Sequence, residues 1–140
     1  MKIAVTGGSG FIGTRLVKRL ADLGHKVLVL DIVVPELNGN EQNIEFEKAD
    51  IMNLEKMIST LQNVDVVFHM AGMVLNAVRK NPYKAIMLHV NGTANVVESC
   101  RLNTVKNIIY ASTFYVYDGI AENEIVNEET QLNIFYMESF

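Results

Sequence analysis

The sequence predicts a doubly wound parallel α/β sheet on three observations. Short apolar runs of strand length alternate with helical patterns along the chain. The first strand-to-helix turn, in MKIAVTGGSGFIG, holds four glycines, Gly7, Gly8, Gly10 and Gly13. The second apolar run, KVLVLD, closes on an acid, Asp31.

Taken in order, Lys2–Thr6 reads as a strand, Phe11–Leu23 as an amphipathic helix and Lys26–Asp31 as a second strand. Gly24 stands where a helix end favours left-handed backbone. Residues 32–43 contain Pro35, Gly39 and three asparagines and read as a loop. Ile44–Lys48 is a third strand, Asn53–Leu61 a short helix opened by an asparagine cap, and Asp65–Phe68 a fourth strand. One long helix is expected from about Asn81 to Leu102, with Pro82 in its first turn, where a missing N–H costs nothing. Asn107–Ala111 is a fifth strand. Unbroken apolar strands suit a parallel sheet covered on both faces by helices and joined by right-handed crossovers. Residues 1–112 form the expected core; residues 113–140 are a loop and acidic tail of the same domain, and no sixth strand follows.

The chain has 140 residues, the size of one domain, with 49% hydrophobic and 20% charged residues, a globular composition. Twelve basic against sixteen acidic residues give a net charge of -4 without a basic cluster, so neither nucleic acid nor an anionic membrane is an expected partner. No apolar run approaches the ~20 residues that span a bilayer. The apolar start is broken by glycine before it could serve as a secretory signal. Cys100 is the only cysteine, which points to a reducing, cytoplasmic setting and to a small buried hydrophobe. His25, His69 and His89 are far apart, and no cluster has metal-ligand spacing, so no metal is expected. Ser112 lacks the G-x-S-x-G surroundings of a hydrolase nucleophile. His69 follows a strand at the ligand-binding edge of such sheets and reads as a histidine satisfied by nearby backbone rather than a chemical group.

Gly8-Ser9-Gly10-Phe11-Ile12-Gly13 fits G-x-G-x-x-G between a strand and a helix. Glycines there allow a sharp turn, close approach of a pyrophosphate and tight helix–strand packing, while the helix start offers unpaired N–H groups. Gly7, Gly10, Phe11, Ile12 and Gly13 are therefore the candidate phosphate-binding residues. Asp31 follows Gly13 by eighteen positions, where an acid accepts hydrogen bonds from the adenosine ribose and repels a ribose phosphate. No Arg or Lys follows it until Lys48, and the expected cofactor is NAD rather than NADP.

Val5–Gly13 resembles the T-G-x-x-G-x-x-G signature of the extended short-chain dehydrogenase/reductases, the superfamily of NAD-dependent nucleotide-sugar epimerases and dehydratases. Ala49-Asp50-Ile51, His69-Met70-Ala71-Gly72, Asn91-Gly92-Thr93 and Ser112-Thr113-Phe114-Tyr115-Val116-Tyr117 resemble that family's later motifs, in its order. The resemblance implies a Rossmann fold, here cut off after about five strands. It places Asp50 and Ile51 at the adenine and Met70, Ala71 and Gly72 along the cofactor. It makes Thr113 the group that hydrogen-bonds the substrate oxygen and Tyr136 the group that exchanges its proton. The lysine that lowers this tyrosine's pKa in the family is Phe140 here, and His89 stands where the family commonly has asparagine. The implied activity is hydride transfer at a carbinol of a nucleotide sugar, with a homodimer as the expected assembly. Two other readings stay open: an NAD-binding fragment impaired in catalysis, and a hydroxysteroid-type alcohol dehydrogenase.

Overall fold

A computed structural model describes residues 1–36, 42–117 and 125–130. The chain divides into two compact units, Met1–Tyr110 and Ala111–Phe140. The first contains a five-stranded parallel sheet of β1 (Lys2–Thr6), β2 (Lys26–Asp31), β3 (Ile44–Lys48), β4 (Val66–His69) and β5 (Asn107–Tyr110), in the order β3-β2-β1-β4-β5. Reversal of strand order between β2-β1 and β4 makes the carboxyl end of β1 the place where crossovers diverge and a crevice opens.

The pleat sorts the core. Ile3 and Val5 of β1 join Val27 and Val29 of β2 on one face, under Val17, Leu20 and Ala21 of α1 (Phe11–Asp22). Ala4, Leu28, Leu30 and Val67 point to the other, against Met57 of α2 (Leu54–Thr60) and Val96 and Cys100 of α5 (Thr93–Leu102). Alternate residues of a strand face opposite sides, so the apolar runs feed two layers at once. Gly13, Val17, Leu20 and Ala21 recur at helical spacing, which is why this face of α1 is the buried one.

Local signals set the ends. The Asn53 side chain accepts the Lys56 N–H at 2.9 Å to start α2, and Asn81 does the same for Lys84 at the start of α4 (Pro82–Ile86). Gly24 turns out of α1 with φ +81°. Burial pushes the Cys100 thiol up to about 11. It therefore stays protonated and inert at neutral pH. Iodoacetamide is expected to label Cys100 only after denaturation; rapid labelling of the native chain, read by mass spectrometry, would contradict its buried place.

Three expectations need correction. The helix foreseen over Asn81–Leu102 is α4, a π-helical turn at Met87–Gly92 and then α5. A helix, α3 (Leu75–Lys80), precedes them; Val74 at its start supplies no side-chain cap, so the usual start signal is missing from the sequence. The edge strands are not covered on both faces: every residue of β5 is exposed, and no residue of β3 is fully buried, with Glu45 and Lys48 exposed on opposite faces.

The second unit holds a 3-10 turn at Phe114–Tyr117, where the Val116 N–H bonds the Thr113 carbonyl, and a turn in which Asn127 Oδ1 accepts the Glu129 N–H. Thr113 lies in this unit; Tyr136 and Phe140 lie outside the described residues.

Candidate functional site

At the carboxyl end of β1 the chain leaves the sheet through Gly7, whose φ is +68° and whose N–H bonds the Leu30 carbonyl at 2.8 Å. A Cβ at Gly7 would lie 2.6 Å from the Ala71 nitrogen, so the loop after β4 sits directly against the glycine turn. Gly10 closes the turn by bonding the Gly7 carbonyl at 3.0 Å and caps α1 without a side chain. No acid stands in the first turn of α1. The N–H groups that open this helix, from Phe11 onward, therefore carry its positive dipole end uncompensated.

A cleft of about 610 Å³ opens here. Gly7, Ser9 and Gly10 line it from the glycine turn, Asp31 to Val33 from the end of β2, Ala49 to Met52 from the end of β3, and Met70 to Met73 from the end of β4. Lys84, Met87 and Leu88 line it from the helical layer. Of the residues singled out from the sequence, Gly7, Gly10, Asp31, Asp50, Ile51, Met70, Ala71 and Gly72 thus share one cavity. Phe11, Ile12 and Gly13 do not line it; the first two point their side chains to solvent and Gly13 is buried under the turn.

Asp31 is locked in place. Its Oδ2 accepts the Ser9 N–H at 3.0 Å and its Oδ1 the Val33 N–H at 3.1 Å, while the Ser9 hydroxyl donates to the Val33 carbonyl at 2.6 Å. Lys48 is opposite Asp31 in the β2–β3 register but is not among the lining residues. Asp50 accepts the Met52 N–H at 2.9 Å, and the Ile51 carbonyl accepts the Asn95 side chain from α5 at 2.9 Å.

His69 is 2% exposed, and its bonds are to hydroxyls, not to the backbone as expected. Nδ1 lies 2.6 Å from the Thr6 hydroxyl and Nε2 3.0 Å from the Thr93 hydroxyl. Thr6 Oγ1 also accepts the Ala71 N–H, at 3.4 Å. A hydroxyl donates one proton and accepts on two lone pairs, so either tautomer of the ring satisfies both contacts. Burial, then the nearby His89, hold the His69 pKa below the usual histidine value.

Ser9, Val33, Lys84, Met87 and Leu88 were not foreseen as lining residues. Four methionines, Met52, Met70, Met73 and Met87, reach the cleft. Among the described residues no group of His, Cys, Asp and Glu could hold a metal ion.

A parallel sheet in the order β3-β2-β1-β4-β5 whose first crossover opens on this glycine turn defines a dinucleotide-binding Rossmann fold. Residues 4–140 match the 3-beta hydroxysteroid dehydrogenase/isomerase family, and the chain belongs to it. It is 35% identical to UDP-glucose 4-epimerase of Klebsiella pneumoniae over 84% of this chain and 92% of that protein. It is 37% identical to a putative UDP-glucose 4-epimerase of Methanocaldococcus jannaschii over 79% of this chain and 37% of the relative. The structure of Thermus thermophilus UDP-glucose 4-epimerase in complex with NAD superposes with a TM-score of 0.79 at 28% identity, over 91% of this chain and 43% of that one. The chain thus spans less than half of the longer relatives.

Proposed function

We propose that the chain is the NAD-binding part of an epimerase- or dehydratase-type oxidoreductase acting at a carbinol of a nucleotide sugar. The observation that carries the reading is the junction of Gly7, Gly10 and the locked Asp31 in one cleft, at an uncapped helix start. These residues suit a dinucleotide: helix amides for the diphosphate, a carboxylate for the ribose hydroxyls, and the apolar Ile51 and Met52 beside Asp50 for the adenine. NAD, when bound, takes and returns a hydride. In this reading the chain's residues bind and orient: Thr113 holds the reacting oxygen, Tyr136 carries its proton, and residues 113–140 belong with the core as one catalytic domain. Homodimer formation and a cytoplasmic location are further parts of the proposal. Among the described residues no helix is long and apolar enough to cross a membrane.

The test is calorimetric titration with NAD and NADP. NAD is expected to bind at least about tenfold more tightly, since hydrogen bonds to a charged acceptor contribute roughly 1.5–3 kcal/mol, and Asp31→Ala should weaken NAD and narrow the gap. Equal binding of both cofactors, or none, defeats the reading. The match to the hydroxysteroid family favours a second substrate class, a 3β-hydroxysteroid. Turnover of UDP-glucose against such a steroid, with Tyr136→Phe as control, separates the two. NAD binding without turnover of either supports the impaired-fragment alternative, which the phenylalanine at position 140 favours.

A further inference from the structure

The wall of the cleft formed by Met70 to Met73 has no regular structure of its own. Its first half hangs from β1, through the Met70 N–H on the Thr6 carbonyl and the Ala71 N–H on the Thr6 hydroxyl. Its second half is tied to the helical layer by a side chain: the Met73 N–H donates to Nε2 of His89 at 3.2 Å. The same ring fills the space at Gly72, where a Cβ would come within 3.0 Å of His89 Cε1.

His89 occupies the middle of the π-helical turn Met87–Gly92. A turn closed by i→i+5 bonds carries more residues than an α turn, so neighbouring side chains are less widely separated around the axis. Met87 and Leu88 can therefore line the cleft while the next residue, His89, meets the loop. A backbone N–H can only donate, which requires a lone pair on Nε2 and the ring proton on Nδ1. An imidazolium has no lone pair and cannot make this bond.

We propose that His89 is a positioning residue: its neutral ring pins the Met73 half of the cleft wall, and protonation releases that wall and weakens cofactor binding. The affinity part rests on the NAD reading above; the loop part does not. The titratable groups of the site are His69 from β4, close enough to feel the charge of His89, and Asp31, Asp50 and Lys84, which line the same cleft; Tyr110 from β5 lies with its ring 5.5 Å from that of His69. Among the described residues neither imidazole is in an ion pair with a carboxylate. Among the described residues, protonation thus finds no paired carboxylate that would hold His89 in place as a cation.

The experiment follows the Met73 amide by NMR hydrogen exchange and NAD affinity by calorimetry, at about pH 8 and about pH 5.5. In the wild type, Met73 protection and NAD affinity should both fall on acidification, affinity by roughly three- to tenfold for one lost hydrogen bond. His89→Asn, whose carboxamide oxygen accepts at both pH values, should flatten both responses. His89→Leu should show fast Met73 exchange and weak binding throughout. Any of three results overturns the proposal: His89→Leu retaining Met73 protection, His89→Asn keeping the wild-type pH response, or affinity rising on acidification. If the wild type binds no NAD at either pH while Met73 behaves as stated, the cofactor reading fails and the positioning role stands.

Discussion

Gly13→Ala is expected to lower stability by roughly 1–3 kcal/mol, the usual cost of overpacking, and to abolish measurable NAD binding. A Cβ at this position would lie 2.2 Å from the Gly7 carbonyl oxygen and 2.7 Å from Gly8 Cα. Both are backbone atoms, so no side-chain rotation relieves the overlap. The relief available is to lift the start of α1 off β1, which loosens Val17 and Leu20 beneath it and misplaces the amides at the mouth of the cleft. Since a domain holds about 5–15 kcal/mol in total, the variant should fold and still be blind to the cofactor. Gly24→Ala is the control: its φ is also positive, at +81°, but nothing lies within 4 Å of the added Cβ. It should cost about 1–2 kcal/mol of left-handed strain and leave NAD affinity unchanged. Urea denaturation and calorimetric titration on both variants decide the matter. Wild-type affinity in Gly13→Ala would disprove the phosphate-binding role of the turn.

The second large effect is expected at His69. Its folded pKa lies below the usual histidine value because the ring is buried and His89 is near. The folded ring therefore stays neutral at pH values where the unfolded chain takes up a proton. The contribution is complete above the unfolded value of about 6.5, and is lost as pH falls from there towards the folded value. Stability should decline by at most about 1.4 kcal/mol per pH unit in that window, the limit for one proton. His69→Leu should be less stable at neutral pH, because the buried Thr6 hydroxyl loses a partner at roughly 1–3 kcal/mol and the half-buried Thr93 hydroxyl loses one at less. It should also lose the slope. Urea denaturation between about pH 7.5 and pH 5 reads both, and parallel pH curves for the two proteins would show that His69 is not linked to folding.

What could be read from the sequence were features governed by neighbours along the chain. The strand at Lys26–Asp31, the cap at Asn53 and the left-handed Gly24 all follow from short-range chemistry, and each is present in the fold. The glycine spacing is of the same kind, because the turn, the carbonyl of Gly7 and the start of α1 all lie within one short segment. Long-range features were not legible. The hydroxyl pair around His69 comes from residues 63 positions before and 24 after it, and no local pattern announces such a meeting. The π-helical turn has the apolar spacing of an ordinary helix, so the register change that turns His89 to the loop leaves no mark in the sequence. Lys84 lines the cleft from α4, far along the chain from the glycine turn.

Asp31 has one further consequence, which follows from counting electron pairs. A carboxylate offers about four acceptor directions. The amides of Ser9 and Val33 use one on each oxygen. Two directions remain, as many as the vicinal diol of an adenosine has protons to give. Under the proposed NAD reading, an acid whose orientation is settled during folding would meet that diol without a search through rotamers, leaving little freedom for the encounter to remove.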